Sequence, residues 1–567
     1  MTAFQRTLVT AALPYANGDL HLGHLAGAYL PADIYVRTLR LRGRDVLFIC
    51  GTDEYGVPIT KTAEAQGITP QELVDRNHAS IRDSFAKLGV SFDNCSQTSR
   101  PVHAETSQGF FLDLHRQGLL KQKTTDQFYC PRCARFLADR YVEGTCPNPK
   151  CGSPGARGDQ CEKCGTALNQ LELLDPRCAT CGATPETRAT QHWFLPLGDW
   201  QPRLQAWLAG HRDWKENVLN YCDGWFAAGL DDRAVTRDLH WGVPVPLPEH
   251  AGKVLYVWFE APIGYISATR EWAAARGEPE AWRRWWQDEG TRLIHFIGKD
   301  NIVFHALMFP AMLMANSEPY VLPDNVPANE FLNLEGNKLS TSRGYAVWLP
   351  DYLAKFPADA LRYALARNLP EARDTDFTWE GFQARNDNEL GNNFGNLINR
   401  VFAFTHKYFA GRVPAWSEAA LTPLDRAALD EVAGCLDRFA ACIEAFDFKG
   451  AVEAMFQAGK AGNRYFDESA PFRTRKSDLD RCAQSLGVAF QIVRMLTLML
   501  APVTPFAAAK VWGWLGMESD LFRGGWAEGT RPLPAGRPLG QPEILFPRLE
   551  DEAIAAEVER LRKLTTG

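Results

Sequence analysis

A short segment near the N-terminus joins a strand-like run to the start of a long helix. Residues Thr7–Ala12 have β-type composition, an Asn17-Gly18 turn follows, and helical periodicity runs from about His21 to Leu41. A strand, a turn and a helix in this order form the unit of a doubly wound parallel sheet. The helix N-terminus in such a unit offers free backbone N–H groups to phosphate oxygens. The segment therefore predicts an α/β fold with a nucleotide site at this junction.

Two histidines lie in the first turn of that helix. His21 and His24 are three residues apart, which places both imidazoles on one helix face. Gly23 lies between them and has no side chain, so a flat ring could lie against the backbone there. Two ordinary histidines at a helix start would give the same pattern, and the motif alone does not decide between these interpretations.

A second segment with phosphate-binding character lies far downstream. The stretch from Gly336 to Gly344 reads Gly-Asn-Lys-Leu-Ser-Thr-Ser-Arg-Gly. Its terminal glycines allow a loop to move, and Lys338 is a compact cation suited to pyrophosphate oxygens. A polar surface turn has the same composition and is the alternative. The occurrence of this segment after His21 and His24 favours a shared phosphate site.

Eight of the fourteen cysteines fall between residues 130 and 181. They form the close pairs Cys130–Cys133, Cys146–Cys151, Cys161–Cys164 and Cys178–Cys181. Thiolates paired across a short turn suit tetrahedral Zn²⁺, and each site needs four ligands. We therefore expect two structural zinc sites in a nested arrangement, with the two inner pairs in one site and the two outer pairs in the other. Tandem sites and a disulfide scaffold are the alternatives, but no export signal supports disulfides.

The chain of 567 residues is long enough for several domains. We expect the first half of a Rossmann-type sheet at 1–117, an inserted zinc-knuckle domain at 118–235, the second half of the sheet at 236–328, a loop and linker region at 329–384, and an all-helical domain at 385–567. Further strands of the sheet are expected at Val46–Cys50, Lys253–Phe259 and Leu293–Ile297. The predicted fold class is α/β, with a doubly wound Rossmann-type parallel sheet, a zinc-knuckle insertion and a C-terminal helix bundle.

Composition narrows the function classes. The hydrophobic content of 46% and the charged content of 23% are typical of soluble globular chains. The apolar stretch Met495–Leu515 contains two prolines and a lysine, so we expect a buried helix, a turn and a second helix rather than a membrane span. The net charge of −7 does not indicate a nucleic-acid partner, although a local basic face would suffice for one. We expect a cytoplasmic protein with no membrane partner.

The two phosphate-type segments resemble the paired signatures of class I aminoacyl-tRNA synthetases. The residues around His21 and His24 resemble the HIGH signature, and those around Lys338 resemble the mobile KMSKS loop. The resemblance implies that these three residues are catalytic. Thr341 stands where the family usually has a second lysine, so the loop is expected to stabilise phosphate charge less strongly.

The resemblance narrows to the methionyl-tRNA synthetase family and covers nearly the whole chain. It is carried by Ala12–Gly18, Trp258–Tyr265, Phe296–His305 and the cysteine insertion. It implies that the methionine side chain is surrounded by Leu13, Tyr15, Trp258, Tyr265, Phe304 and His305. It implies that Asp53 receives the substrate ammonium. It implies that ATP, with Mg²⁺, is bound by Gly23, Gly298, Asp300, Lys338, Thr341 and Ser342. Core packing is the alternative for the aromatic residues, and helix capping is the alternative for Asp53.

The helical domain is expected to read the tRNA anticodon, because a class I core reaches only the acceptor end. Asn396 and Arg400 match the Asn-x-x-x-Arg pattern of the family, and both are expected to bond to bases. Phe472 stands where the family often has tryptophan and would supply a smaller stacking face. The alternative is that Asn396 and Arg400 brace helices and that Phe472 belongs to the core.

The function implied by the resemblance is ligation of methionine to tRNA(Met) for initiation and elongation of translation, through methionyl-adenylate and pyrophosphate. A small-molecule adenylyltransferase is one rival, but such enzymes are much shorter and lack a helical C-terminal third. A non-catalytic zinc-knuckle RNA-binding protein is the other rival, and the presence of His21, His24 and Lys338 argues against it. We expect a monomer, because no further dimerisation domain is recognisable after the helical region.

Overall fold

The main sheet among the described residues is parallel and has six strands. The computed structural model describes residues 4–158, 161, 163–164, 168, 170–340 and 344–566. Across the sheet the strand order is Pro323–Asn325, Thr291–Gly298, Arg6–Ala11, Asp45–Thr52 and Asn94–Gln97, and Ala328–Asn329 also pairs with Thr291–Gly298. Helices cover the sheet, so the predicted doubly wound Rossmann-type fold is confirmed.

The strand order reverses beside the first strand. From Arg6–Ala11 the chain proceeds to Asp45–Thr52 on one side, and it later returns with Thr291–Gly298 on the other side. Ala11 lies opposite Phe296 in this pairing, so the two strands end at the same edge of the sheet. Ligands of open α/β sheets bind outside the carboxyl ends of the strands at such a reversal. The fold therefore places a crevice between the residues that follow Ala11 and those that follow Gly298.

The prediction of a strand at Lys253–Phe259 is wrong. Within this stretch only Val254–Leu255 forms a strand, and it pairs antiparallel with Thr236–Arg237 outside the main sheet. Val257–Glu260 then forms a short helix. A short, continuous apolar run has no periodicity that distinguishes a strand from a buried helix, and this is why the strand prediction failed. The strand predicted at Thr7–Ala12 is present one residue earlier, at Arg6–Ala11, and those predicted at Val46–Cys50 and Leu293–Ile297 are present with slightly wider bounds.

The described part of the insertion contains two small antiparallel sheets, followed by helices. The larger has the order Arg233–Ala234, Glu186–Leu195, Lys121–Cys130 and Arg135–Phe136, and the smaller has the order Ala156–Arg157, Val142–Thr145 and Leu174–Cys178. Lys121–Cys130 is polar and largely exposed, so it lacks the apolar alternation that identifies a strand in sequence. A third small sheet, of Leu332–Leu334, Asn337–Lys338 and Thr375–Phe377, carries the segment with Lys338.

Helices make up most of the remainder. Those before residue 385 are Leu22–His24, Leu30–Leu41, Val57–Gln66, Pro70–Leu88, Pro101–Arg116, Leu197–Leu208, Glu216–Ala228, Val257–Glu260, Gly264–Ala275, Arg283–Trp286, Phe309–Ala315, Leu349–Leu353, Ala358–Ala366 and Trp379–Ala384. Those after it are Asn396–Tyr408, Pro423–Glu444, Phe448–Ser469, Pro471–Ser477, Leu479–Val503, Pro505–Trp514, Gly525–Gly529 and Asp551–Thr566. The π-helical segments Leu25–Tyr29, Phe304–Met308 and Arg385–Gly395 adjoin helices in this series. The predicted C-terminal helical domain is thus confirmed, while the five predicted domain bounds stay predictions.

The most apolar helix lies in the core of the helical domain. Among the described residues, Leu479–Val503 alone is long and apolar enough to cross a membrane by length and composition, and its apolar window is 100% buried within the fold. A helix that is apolar all round and covered on every side is a core helix. Pro505–Trp514 follows it after Thr504, which confirms the predicted helix, turn and second helix.

Candidate active site

The two signature histidines are held in fixed positions at the start of the first helix. His21 is the N-cap, and its Nδ1 accepts from the Gly23 N–H at 3.1 Å. The Nδ1 of His24 accepts from the His21 backbone N–H at 3.1 Å, and the two rings stack with centroids 3.7 Å apart. Burial lowers the pKa of His21 to about 4 and the pKa of His24 well below its usual value. Both rings are therefore neutral at pH 7, and each carries its one hydrogen on Nε2 as a donor.

The two signature segments meet in space. The backbones of His21 and Trp348 form an antiparallel bridge, and the Leu22 N–H donates to the Val347 carbonyl at 3.2 Å. A Cβ added at Gly23 would lie 2.7 Å from Cδ1 of Leu339 and 2.9 Å from Cε1 of His21, so a larger residue there would force one of these side chains to move. Lys338 is exposed on the short strand directly before Leu339.

Thr341 and Ser342, which we expected to bind ATP, lie outside the described residues. The other expected ATP residues lie at the sheet edge. Gly298 ends its strand, and a Cβ added there would meet no described atom within 4 Å. Asp300 lies in the following 3-10 turn, Lys299–Asn301. Lys299 between them is paired with Glu330 at 2.7 Å and with Asp374 at 3.1 Å. Space for a ligand therefore remains on the Gly298 side of this edge.

Asp53 lies at the end of the neighbouring strand, beside the segment before His21. Its N–H donates to the Pro14 carbonyl at 2.8 Å, and its carbonyl accepts from Ala16 at 2.9 Å. The side chain is 5% exposed, and burial, reinforced by the nearby Glu260 carboxyl, raises its pKa well above the usual value. The next helix has Gly56 as its N-cap, so Asp53 does not cap it. A buried carboxyl of this kind is suited to receive a cation.

Aromatic side chains line the space beside Asp53. The Trp258 indole N–H donates to the Tyr15 hydroxyl at 3.2 Å, and the Trp258 and Phe304 rings lie 5.1 Å apart. Tyr265 and His305 are joined by a 2.8 Å hydrogen bond and are 1% and 5% exposed. Tyr15 follows the strand Arg6–Ala11, Phe304 and His305 follow Thr291–Gly298, and Trp258 and Tyr265 lie on helices after Val254–Leu255, yet the fold brings them together.

Leu13 closes the same space, because its Cδ2 would lie 3.1 Å from a Cβ added at Gly264 and 3.3 Å from one added at Gly51. The sequence analysis missed four polar residues that lie around this pocket. Thr10, His103, Glu260 and His295 are all 0% exposed. His103 Nε2 lies 2.6 Å from Glu260 Oε2, and Thr10 Oγ1 lies 2.5 Å from His295 Nδ1. A polar residue inside an apolar run, as at Thr10 and His295, was the available signal.

The eight cysteines lie in two groups in the insertion. Cys130, Cys133, Cys178 and Cys181 form one, Cys146, Cys151, Cys161 and Cys164 form the other, and the sulfur atoms of each group lie within 4.8 Å of one another. This is the nested arrangement. The Cys130–Cys181 and Cys133–Cys178 sulfur distances are 3.5 and 3.9 Å. Sulfurs about 2.3 Å from one tetrahedral metal ion are about 3.8 Å apart, so the donor set fits such an ion.

The residues expected to contact the anticodon lie on the surface of the helical domain. Asn396 begins its helix and is exposed. Arg400, one turn later, pairs with Asp467 at 2.5 Å and stacks on Phe466 at 4.4 Å. Phe472 is 46% exposed, which contradicts the alternative that it belongs to the core.

Phe472 follows Ala470, whose φ of 42° separates two helices. The break at Ala470 turns the phenylalanine toward solvent, because the helix before it ends there. The exposed ring lies on the same helical domain as Asn396 and Arg400. This surface therefore offers a flat aromatic face and a guanidinium, which are the groups that stack on unpaired bases.

Comparisons with known proteins agree with this geometry. Residues 7–402 match the family model described as tRNA synthetases class I (M), and residues 413–564 match the anticodon binding domain of methionyl tRNA ligase. A methionine–tRNA ligase of Salinibacter ruber is 50% identical over 99% of this chain and 82% of its own length. One of Porphyromonas gingivalis is 50% identical over 99% of this chain and 81% of its own length.

A solved structure of Mycobacterium tuberculosis methionyl-tRNA synthetase in complex with methionyl-adenylate is also similar. It has a TM-score of 0.78 and 28% identity, over 96% of this chain and 100% of that one. The two family models, the two relatives and the solved structure thus all indicate the same family. The chain belongs to the methionyl-tRNA synthetase family of class I aminoacyl-tRNA synthetases.

Proposed function

We propose that this chain ligates methionine to tRNA(Met) with the residues assembled at the carboxyl edge of the main sheet. The observation that carries the proposal is the meeting of the His21–His24 helix with the Lys338 segment beside the Asp53 pocket. In the first step a methionine carboxylate oxygen bonds to the α-phosphorus of ATP, and the bond to pyrophosphate breaks. The nucleophile is already ionised, so no general base is required. Rate enhancement therefore comes from alignment and charge stabilisation.

The neutral histidines supply directed donors for this step. Nε2–H of His21 and Nε2–H of His24 would donate to phosphate oxygens, because both Nδ1 atoms are already occupied. Neutral donors are suited to hold phosphate without the cost of burying a second charge. Lys338, exposed beside them, would follow the leaving pyrophosphate. Gly298 and Asp300 would hold the ribose of ATP, and Mg²⁺ bound with ATP would neutralise part of the phosphate charge.

The pocket beside Asp53 would hold methionine. The Asp53 carboxylate pairs with the substrate ammonium, which supplies the cation that a buried carboxyl needs in order to ionise. Leu13, Tyr15, Trp258, Tyr265, Phe304 and His305 would surround the thioether. Sulfur makes favourable contacts with aromatic edges, so this wall suits methionine better than a branched aliphatic side chain.

In the second step a terminal ribose hydroxyl of tRNA attacks the adenylate carbonyl, and AMP leaves. We infer that Asn396, Arg400 and Phe472 bind the anticodon, as the exposure of Asn396 and Phe472 and the partial exposure of Arg400 support. We further propose that the enzyme acts in the cytoplasm as a monomer.

We propose that each cysteine group binds one structural Zn²⁺. The donor set supports this, since four sulfurs within 4.8 Å leave no room for a fifth ligand or a substrate. Metal analysis of the native protein should find two zinc ions per chain. The double substitution Cys146→Ser with Cys161→Ser should remove one zinc ion and leave the other bound. Loss of both ions would contradict the proposal that the two sites bind zinc independently.

The assay that tests the main proposal is ATP–pyrophosphate exchange with each amino acid in turn. We expect methionine to support exchange and leucine and isoleucine to support little. Exchange with leucine or isoleucine while methionine is inert would reject the proposed substrate.

A further inference from the structure

The helix that begins with the two signature histidines changes its hydrogen-bond register in its second turn. Leu25–Tyr29 is π-helical and lies between two α-helical stretches. At its end the Leu30 N–H donates to the Leu25 carbonyl, five residues back. In an α-helix the same N–H would donate to the Ala26 carbonyl, four residues back. The π register therefore leaves the Ala26 carbonyl without the donor that an α-helix would supply.

The helix itself offers the Ala26 carbonyl no other backbone donor. If the π register continued, this carbonyl would accept from residue 31, but that residue is Pro31, which has no N–H. Ala26 is 0% exposed, so bulk water does not reach it. A buried carbonyl that lacks a donor is costly, so this one needs a partner from elsewhere in the fold.

The side chain of Asn329 supplies the missing donor. Its Nδ2 donates to the Ala26 carbonyl at 2.8 Å, and Asn329 pairs with Gly298 at the edge of the main sheet where we place ATP. Lys215 of the insertion donates to the Oδ1 of the same amide at 3.0 Å. Burial lowers the pKa of Lys215 to about 8, so at pH 7 it is mainly an ammonium and only donates. Because the carbonyl only accepts, both ends of the amide are fixed.

The part of the helix after the π segment is held in place independently. Asp33 pairs with Arg362 at 2.7 Å, and both side chains are 0% exposed. A return to the α register would therefore displace the turn before Leu25, which carries His21 and His24. One residue of an α-helix corresponds to a rotation of about 100° and a rise of about 1.5 Å. A slip of one residue would thus turn both imidazoles away from their present direction.

We propose that Asn329 is a positioning residue that keeps this helix in its π register and so directs His21 and His24 at the phosphates of ATP. With the Ala26 carbonyl already bonded, the helix gains little from a return to the α register. Lys215 contributes by holding the amide in the required orientation. The inference rests on the proposed function, because the direction of the histidines affects the reaction only if they hold phosphate.

The main test removes the donor to Ala26 and keeps the rest of the side chain. Asn329→Asp retains the shape and the contact with Lys215, but a carboxylate has no hydrogen to donate. We expect kcat for methionine-dependent ATP–pyrophosphate exchange to fall about tenfold, the order of effect of one hydrogen bond. The methionine KM should stay the same, because the residues proposed to bind methionine lie outside this helix. Equilibrium methionine binding counts the folded sites to which the rates are referred.

Two further variants separate the bond to Ala26 from the contact with the insertion. Lys215→Met leaves the donor of Asn329 in place and should lower kcat less than about threefold. Asn329→Leu combined with Lys215→Met removes the donor without leaving a buried charge unpaired. This double variant should reproduce the tenfold loss, and it provides the test if Asn329→Asp does not fold.

A crystal structure of Asn329→Asp, or of the double variant, shows the register directly. We expect the Leu30 N–H to donate to Ala26 there, with both histidines displaced. Retention of the bond to Leu25 would overturn the inference. An unchanged kcat in both Asn329 variants, or a loss in Lys215→Met as large as that in Asn329→Asp, would also overturn it. Wild-type protein that shows no methionine-dependent exchange would instead reject the proposed function.

Discussion

The proposed methionine pocket and the proposed anticodon surface differ in how deeply their side chains are buried. In the pocket, Tyr265 is 1% exposed, and Asp53 and His305 are each 5% exposed. On the helical domain, Phe472 is 46% exposed and Arg400 keeps its charge paired with Asp467 at the surface. A small substrate offers few atoms, so the site must desolvate them and leave no polar group unpaired. A nucleotide base offers a large flat face, so an exposed ring suffices.

The largest effect expected at the catalytic edge comes from Lys338. Lys338→Ala should slow adenylate formation by about 10²–10³-fold, the scale of losing one preorganised contact to developing charge. Affinity for tRNA should stay the same, because Lys338 lies on the small sheet with Leu332–Leu334 and not in the helical domain. Single-turnover burst rates with ATP and methionine measure the effect. An unchanged burst rate would mean that Lys338 does not stabilise the developing charge. That role would then be assigned to Thr341 or Arg343.

The next effect concerns the buried carboxylate. Asp53→Ala should raise the methionine KM about 30- to 150-fold, from the loss of roughly 2–3 kcal/mol in a bond to a charged group. Because burial raises the pKa of Asp53, its carboxyl takes up a proton as the pH falls through that pKa, and the ammonium loses its anion. Wild-type KM for methionine should therefore rise toward acid pH, with kcat for exchange changing less.

The matched control for this prediction is Asp53→Asn, which keeps the size of the side chain and cannot ionise. Its methionine KM should be high and independent of pH over the same range. A variant that retains the wild-type pH profile would show that another group titrates, and would remove Asp53 from the ammonium site.

On the helical domain, Phe472→Ala should weaken tRNA charging and leave amino-acid activation intact. Base–aromatic stacking is worth ~1–3 kcal/mol, so the tRNA KM should rise about 5- to 150-fold. Phe472→Trp should restore or tighten binding, because it enlarges the stacking face. Loss of pyrophosphate exchange in Phe472→Ala would indicate a folding defect. The variant would then not separate tRNA binding from amino-acid activation.

The smallest effect is expected at Arg400. Its guanidinium already pairs with Asp467 and stacks on Phe466, so part of its bonding capacity is engaged within the protein. Arg400→Ala should raise the tRNA KM by about fivefold, consistent with an exposed charged contact of about 1 kcal/mol. Asp467→Ala is the informative partner, because it frees the guanidinium and should tighten tRNA binding. Weaker binding in both variants would mean that the pair is structural.

The sequence predicted the parts of the fold that repeat a strong local pattern. The strands predicted to begin at Thr7, Val46 and Leu293 begin within two residues of those positions, and the region after residue 385 is helical as predicted. The two groups of four cysteines were predicted from the close cysteine pairs in the sequence, because the geometry of a tetrahedral metal site dictates such spacing. Lys253–Phe259 was mispredicted because its unbroken apolar character fits both a strand and a buried helix.

What the sequence could not supply was how distant residues meet. His103 and Glu260 come from separate helices and form their hydrogen bond only in the folded chain. The pairing of Arg400 with Asp467 likewise depends on two helices lying side by side. Such contacts leave no local signal, because each residue alone is compatible with a solvated or an ordinary buried role.

The bridge between His21 and Trp348 has a consequence for biosynthesis. Domains fold as units while the ribosome is still extending the chain. The residues from Leu13 to His305 that we propose to surround methionine leave the ribosome before Trp348 does, so in the nascent chain they are available to pack before the helix at His21 gains this bridge. A translation product that stops between these two points would lack the backbone bridge that holds the His21 helix against the segment after Lys338.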